Sequence, residues 1–177
     1  YFACAFDSKG KTFRHEMYEE YKANRPPMPD ELQQQLPHLW EILDAMNIPV
    51  LKKDGVEADD IIGTLAVRAQ DKGLDTYIVS GDKDFMQLIN ENIFLYAPGT
   101  KKSPNPVIYD SKRVEDKWGV PPEKIIDLLG LMGDSSDNVP GVSGVGEKTA
   151  VKLIKKYGSL DGALENADQV SNKRART

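Results

Sequence analysis

The chain is poor in cysteine: Cys4 is the only one in 177 residues, so neither an intrachain disulfide nor a cysteine-rich zinc site can form. That scarcity suits a reducing compartment. No apolar run approaches the roughly 20 residues a membrane-spanning helix needs, and the first residues lack the basic start and cleavage site of a secretory signal. Internal repeats and low-complexity tracts are absent as well. These gaps leave a soluble intracellular chain as the expectation, with the length of one domain or of one domain with a small appendage.

What the chain has in quantity is acid, in four packets: Asp7 closing YFACAFD, Glu57, Asp59 and Asp60 in VEADDII, Asp82 and Asp84 in VSGDKDF, and Asp134 and Asp137 in LMGDSSDN. Each packet lies against apolar sequence, where charge is expensive to hold without a cation or a hydrogen-bond donor. Taken singly, each has an ordinary structural explanation. Acids in a first helical turn favour the dipole, Asp84 suits an N-cap, and Asp137 suits a turn. Together they point elsewhere, because Asp7, Asp82 and Asp84 fall where strands end, the edge at which open α/β sheets bind ligands. So many like charges at one rim call for divalent cations. Mg²⁺ takes oxygen ligands and drives phosphodiester chemistry in pairs.

Subtracting these eight acids from the net charge of −5 leaves +3 for the rest. The positives cluster too, as Lys9, Lys11, Arg14, Lys22 and Arg25 early on and as Lys148, Lys152, Lys155 and Lys156 late. Basic patches around an acidic pocket suit a polyanion held while a metal acts on one phosphate.

Periodicity predicts a buried strand over 1–6, a polar helix over 13–24, and a breaker at RPPMPDE with Asp30 as N-cap. Leu32, Leu36, Leu39, Leu43 and Met46 then mark one apolar helix face, kinked at Pro37. A strand at 48–51, a helix through 61–69, strands at 76–79 and 93–96, and a short helix at 84–89 between them complete an α/β sheet with crossover helices. From Ser111 only helices are expected, over 111–118, 123–132, 147–157 and 159–164. The basic tail SNKRART carries no closing apolar element.

The second motif is GVSGVGEKTA, residues 141–150. It is not a P-loop, because Glu147 separates the last glycine from Lys148 and a helical pattern, not a strand, precedes it. A tight turn between two helices fits better. Its amides and the following helix N-terminus can meet a phosphate, with Lys148 adding charge and a bulky residue at Gly146 blocking both approach and positive φ.

FDSKGKTFRHEMYEEYKANR, GVEADDIIGTLA, VSGDKDFMQL and GDSSDNVPGVSGVGEKTAVKLIKKYGSL together resemble the 5′-nuclease domain of bacterial DNA polymerase I, in the flap endonuclease superfamily. The resemblance implies a PIN-like parallel α/β sheet over 1–110 with a basic helical arch at about 8–29. An all-helical helix-hairpin-helix (helix-three-turn-helix) DNA-binding subdomain over 111–177, with its hairpin at 141–149, would follow. It implies two Mg²⁺ or Mn²⁺ ions on Asp7, Glu57, Asp59, Asp60, Asp82, Asp84, Asp134 and Asp137, and K⁺ on hairpin carbonyls. Lys22 and Arg25 correspond to the catalytic basic residues at the scissile phosphate. DNA contacts would come from Arg14, Tyr21, Lys22 and Arg25, and from Gly141, Gly144, Gly146, Lys148, Thr149 and Lys152. Tyr18 and Tyr21 are either stacking faces for a displaced strand or partly buried core tyrosines.

The implied activity is two-metal phosphodiester hydrolysis of DNA bearing a 5′ flap, nick or duplex end, in primer removal and repair, with the carboxylates as ligands rather than acid or base. A monomer of the bacterial cytoplasm is expected, with a polymerase domain in the same parent chain. In the family a further strand carrying another metal-binding Asp lies upstream and more helices follow, so the chain is expected to be an internal fragment. The rival from another class is a fragment that binds DNA junctions without cutting. A ribonuclease of the PIN type is disfavoured by the hairpin and the number of acids.

Overall fold

In the computed structural model, which describes residues 1–101 and 103–170, contacts divide the chain into two units. One is Tyr1–Thr64 with Ser136–Asn138, the other Leu65–Ser135 with the chain from Val139 on. The tail SNKRART lies outside the described residues.

The first unit holds a two-stranded parallel sheet, β1 (Cys4–Ala5) beside β2 (Val50–Leu51), with Cys4 opposite Val50. The strand expected over 1–6 shrinks to two residues. Pro49 at the start of its partner accepts from the Cys4 amide at 2.9 Å but has no N–H to return. Helix α1 (Phe13–Met17) is far shorter than the helix expected over 13–24. The chain leaves helical geometry at Tyr18 (φ −145°, ψ 105°) and passes through turns in which Lys22 takes a left-handed φ of 55°. The Lys22 amide donates to the Asp137 carbonyl at 2.9 Å and the Asn138 side chain donates to the Glu20 carbonyl at 2.7 Å. Long-range partners thus override a good local helix pattern.

Helix α2 (Asp30–Ala45) begins at Asp30, with Pro29 rather than Asp30 in the cap position, and carries Pro37 inside it. Its expected apolar face is only partly used: Leu43 is buried, while Leu32, Leu39 and Met46 are exposed. Trp40 packs edge-on against Phe6 at 4.5 Å, with the Lys52 ammonium 3.8 Å from its ring centre. Helix α3 (Ala58–Gln70) starts in this unit, and the Asp7 carboxylate caps it by accepting from the Ala58 amide at 2.7 Å.

The second unit is built on β3 (Thr76–Val79), β4 (Ile93–Ala97) and β5 (Val107–Tyr109). β3 runs parallel to β4, and β5 runs antiparallel to it with Tyr109 opposite Leu95. Ile78, Phe85, Met86, Ile93 and Leu95 form the buried layer. β5 escaped the sequence reading because three residues are too few to show a period of two.

Beyond it, α4 (Ser111–Trp118) is capped by Asp110 and ends on Gly119 at φ 72°. A 3₁₀ turn, Pro122–Lys124, leads into α5 (Ile125–Met132). The segment is not all helical as expected, since β6 (Gly133–Asp134) pairs antiparallel with β7 (Val139–Pro140). A Cβ on Gly133 would sit 2.3 Å from the Gly141 nitrogen, and one on Gly141 2.2 Å from the Met132 carbonyl carbon. Two backbones therefore cross where only glycine fits. Helices α6 (Glu147–Tyr157) and α7 (Leu160–Glu165) close the unit on Leu128, Leu131, Ala150, Leu153 and Ile154.

Candidate active site

In the first unit, the start of α3 and the 136–138 turn bring acids to Arg14 on α1 and to the basic segment that follows it. Glu57, just before α3, is buried. Its carboxylate accepts from the Lys22 ammonium at 2.5 Å and from the Tyr21 hydroxyl at 2.8 Å, with Arg14 at 3.3 Å. Arg14 makes a two-pronged pair with Asp60, both contacts at 2.7 Å, the geometry that suits a guanidinium and a carboxylate best. The Asp60 carboxylate also accepts from the Glu57 amide at 2.9 Å. Asp137 takes Arg25 at 2.5 Å and lies 2.9 Å from the Tyr21 hydroxyl and 3.9 Å from the Lys22 ammonium.

The electrostatics follow from these contacts. The hydrogen bond from Arg14 holds the Asp60 carboxyl below the usual carboxylate range, and the same bond raises Arg14 above its already high value. Burial pushes the Tyr21 phenol up, and the Glu57 and Asp137 carboxylates push it further. Tyr21 is thus a neutral donor shared by two acids. Its ring is covered edge-on by His15 at 5.3 Å, so the expected stacking face for DNA is in use. Tyr18 is partly exposed. Asp59 points from an exposed position in the first turn of α3.

In the second unit, Asp82 caps the 3₁₀ turn Lys83–Leu88 by accepting from the Asp84 amide at 2.9 Å, the capping role that fits Asp84 on sequence grounds. Lys83, which sequence reasoning passed over, stands 2.6 Å from Asp134 and 3.6 Å from Asp84. Burial works against its charge, but the Asp134 hydrogen bond and the neighbouring acids win and raise its pKa. The signal was present: a lysine between two aspartates in GDKDF is placed to neutralise them.

At the hairpin, Gly144 carries the left-handed φ of 75°, whereas Gly146 has φ −98° and is the N-cap of α6, so the positive φ expected at Gly146 belongs to Gly144. No side chain caps α6, which leaves its first amides to other partners. Lys148 and Lys152 are exposed on this helix and Thr149 is half-buried, while Ala150, Leu153 and Ile154 face inward. Gly141 is accounted for by the crossing at Gly133.

The eight acids offer only carboxylate oxygens, the donors a hard divalent cation takes, so their chemistry fits Mg²⁺ or Mn²⁺. Among the described residues, however, no three acid, histidine or cysteine side chains stand close enough together to hold one ion. Basic side chains are interposed.

The fold has solved counterparts. A structure of the bacteriophage T5 D15 flap endonuclease in a pseudo-enzyme-product complex with DNA and metal ions matches at TM-score 0.79, with 23% identity, over 97% of this chain and 65% of that one. The T5 D15 protein co-crystallised with metal ions matches at TM-score 0.78, with 22% identity, over 97% of this chain and 67% of that one. Strands and helices thus define an α/β domain followed by a helical domain. Residues 1–119 match the family model of the 5′-3′ exonuclease N-terminal resolvase-like domain, and residues 120–177 match that of the 5′-3′ exonuclease C-terminal SAM fold. The chain belongs to the 5′-3′ exonuclease family. It is 47% identical over 173 residues to DNA polymerase I of Bacillus subtilis (strain 168), covering 97% of this chain and 19% of that protein. It is 45% identical over 166 residues to the 5′-3′ exonuclease of Aquifex aeolicus (strain VF5), covering 94% of this chain and 56% of that protein. The chain thus spans about a fifth of its polymerase relatives and a little over half of that exonuclease. Among the described residues, no helix is long and apolar enough to cross a membrane.

Proposed function

We propose that this chain carries the nuclease centre of a 5′-3′ exonuclease or flap endonuclease that hydrolyses DNA at a 5′ flap, nick or duplex end, within or beside a DNA polymerase I. The observation that carries the reading is the pair Glu57 and Asp137 on the Tyr21 hydroxyl, with Asp60 accepting from the Glu57 amide and Arg14, Lys22 and Arg25 on the same three acids. Acids with phosphate-binding cations beside them are what two-metal phosphodiester hydrolysis requires.

Asp7, Glu57, Asp59, Asp60 and Asp137 in one unit, and Asp82, Asp84 and Asp134 in the other, are the proposed metal-holding residues. Divalent ions held there would supply a nucleophile at neutral pH and charge stabilisation for the leaving oxygen. Lys22 and Arg25 counter the charge that grows on the phosphate, and Arg14 orients Asp60. The 141–149 hairpin holds the duplex backbone through the open N-terminus of α6, Lys148 and Lys152, and its carbonyls would be the ligands of a K⁺ ion.

One observation favours a second reading, a junction-binding chain without cleavage: the acids are paired with basic side chains rather than grouped in threes. Incubation with labelled 5′-flap DNA, with and without Mn²⁺, separates the two. Metal-dependent release of the flap is expected. Tight binding of intact flap in Mn²⁺ would leave the second reading standing.

A further inference from the structure

The Tyr21 hydroxyl donates to Glu57 at 2.8 Å and lies 2.9 Å from Asp137, so one group ties an acid before α3 to an acid on the 136–138 turn. Its aim is not set by secondary structure, because residues 18–25 contain no helix or strand. Turns pin the backbone there, with the Tyr21 amide on the Tyr18 carbonyl at 3.0 Å and the Lys22 amide on the Asp137 carbonyl at 2.9 Å. A pinned backbone still leaves the phenol its side-chain rotamers. The ring is met by His15, with centroids 5.3 Å apart and planes at 84°, and by the Lys22 ammonium 4.8 Å from its centre.

His15 is itself held. Its Nδ1 accepts from the Thr12 amide at 3.2 Å and lies 3.0 Å from the Thr12 hydroxyl, while its own amide donates to the Thr12 carbonyl at 3.0 Å. An amide can only donate, so Nδ1 offers its lone pair there. Thr12 is buried, and the Phe13 amide after it donates at 3.2 Å to the carbonyl of Gly55, just before Glu57. His15 stands at the third residue of α1, where a capping box usually places Glu or Gln. Either of those would satisfy the Thr12 amide, but neither brings a ring to Tyr21.

We infer that His15 is a positioning residue of the proposed nuclease centre: its ring, held by Thr12, fixes Tyr21 so that the hydroxyl keeps Glu57 and Asp137 together. The inference rests on the proposed function and adds a residue that acts through Tyr21.

The test separates the ring from the cap in the 177-residue chain. His15→Ala removes both, whereas His15→Gln returns an acceptor to Thr12 without the ring. Thermal stability is measured alongside exchange of the Tyr21 hydroxyl proton with water, followed by NMR on ¹³Cζ-labelled tyrosine with Tyr21→Phe to assign the signal. Flap cleavage in Mn²⁺ gives kcat and KM. His15→Gln is expected to recover the stability lost in His15→Ala. Its hydroxyl exchange should nevertheless stay about fivefold faster than in the wild type, as suits the loss of an aromatic pair, with kcat lowered by a similar factor at unchanged KM. If His15→Gln restores hydroxyl exchange along with stability, His15 is a helix cap and the inference is wrong. It is equally wrong if exchange speeds up while kcat keeps its wild-type value, and the nuclease reading then survives. If the wild type releases no flap in Mn²⁺, the nuclease reading falls and the inference with it.

Discussion

At the scale of single residues, two ion pairs, Lys83–Asp134 and Arg14–Asp60, change expectations about stability. Repulsion among clustered acids argues that removing one relieves strain in the metal-free protein, but Asp134 is paired with Lys83 at 2.6 Å. Asp134→Ala should therefore destabilise the metal-free chain, by about 1 kcal/mol for a partly exposed pair, while abolishing cleavage and sparing most DNA binding. Urea unfolding in a chelator checks the sign. A more stable variant would mean that repulsion dominates after all. Arg14 gives a pH-dependent counterpart. Its hydrogen bond lowers the Asp60 pKa in the folded state, so the stability it contributes is fully present above the unfolded carboxylate value and is lost as pH falls through the depressed one. Arg14→Gln should thus cost stability at neutral pH, and the gap to wild type should close from about pH 5 downward. A gap independent of pH would assign the loss to packing of the Arg14 stem against Phe13, whose ring centre lies 4.6 Å from the guanidinium.

At the scale of elements, the glycines of the 133–146 region separate by their geometry. Gly133 and Gly141 sit where backbones cross at distances no Cβ tolerates, and Gly144 is left-handed, whereas Gly146 has φ −98° with open space around it. Alanine at Gly133 should be severe enough to disorder the β6–β7 pair. At Gly144 it should cost about 1–2 kcal/mol, and at Gly146 less than either, because only the N-cap preference is lost. Thermal unfolding of the three variants gives the ranking, and equal losses at Gly144 and Gly146 would contradict the hairpin geometry. Elements with a full local code were legible in advance. β3, α4 and α6 have the bounds expected for them, and the structure ends α4 on Gly119 and α6 on Gly158, each with a left-handed φ. Elements made by partners were not. β5, β6 and β7 are three residues or fewer and exist only because another strand pairs with them.

For the molecule as a whole, the proposed DNA grip at α6 has a salt signature. Phosphates look alike at every base pair, so Lys148→Ala should weaken binding to unrelated duplexes equally. It should also lower the salt slope of log K by about 0.9, the loss of one phosphate contact. Binding isotherms across a salt series test this, and dependence on base sequence would remove Lys148 from the backbone contacts.

Composition and order of residues alone determined that this chain is an α/β domain joined to a helical one, that its acids come in four packets, and that it belongs to the 5′-3′ exonuclease family. These are local facts: helix and strand periods, caps and motif spacing are written within a few residues of one another. Tertiary structure decided what each charged side chain meets. The 13–24 segment reads as a helix, yet it breaks at Tyr18 because the Tyr21 hydroxyl, the Lys22 amide and the Arg25 guanidinium find partners 112–116 residues away in the chain. No local pattern encodes such pairings. They arise when burial makes an uncompensated carboxylate such as Glu57 costly and the nearest cations, wherever they lie in sequence, are drawn in to neutralise it.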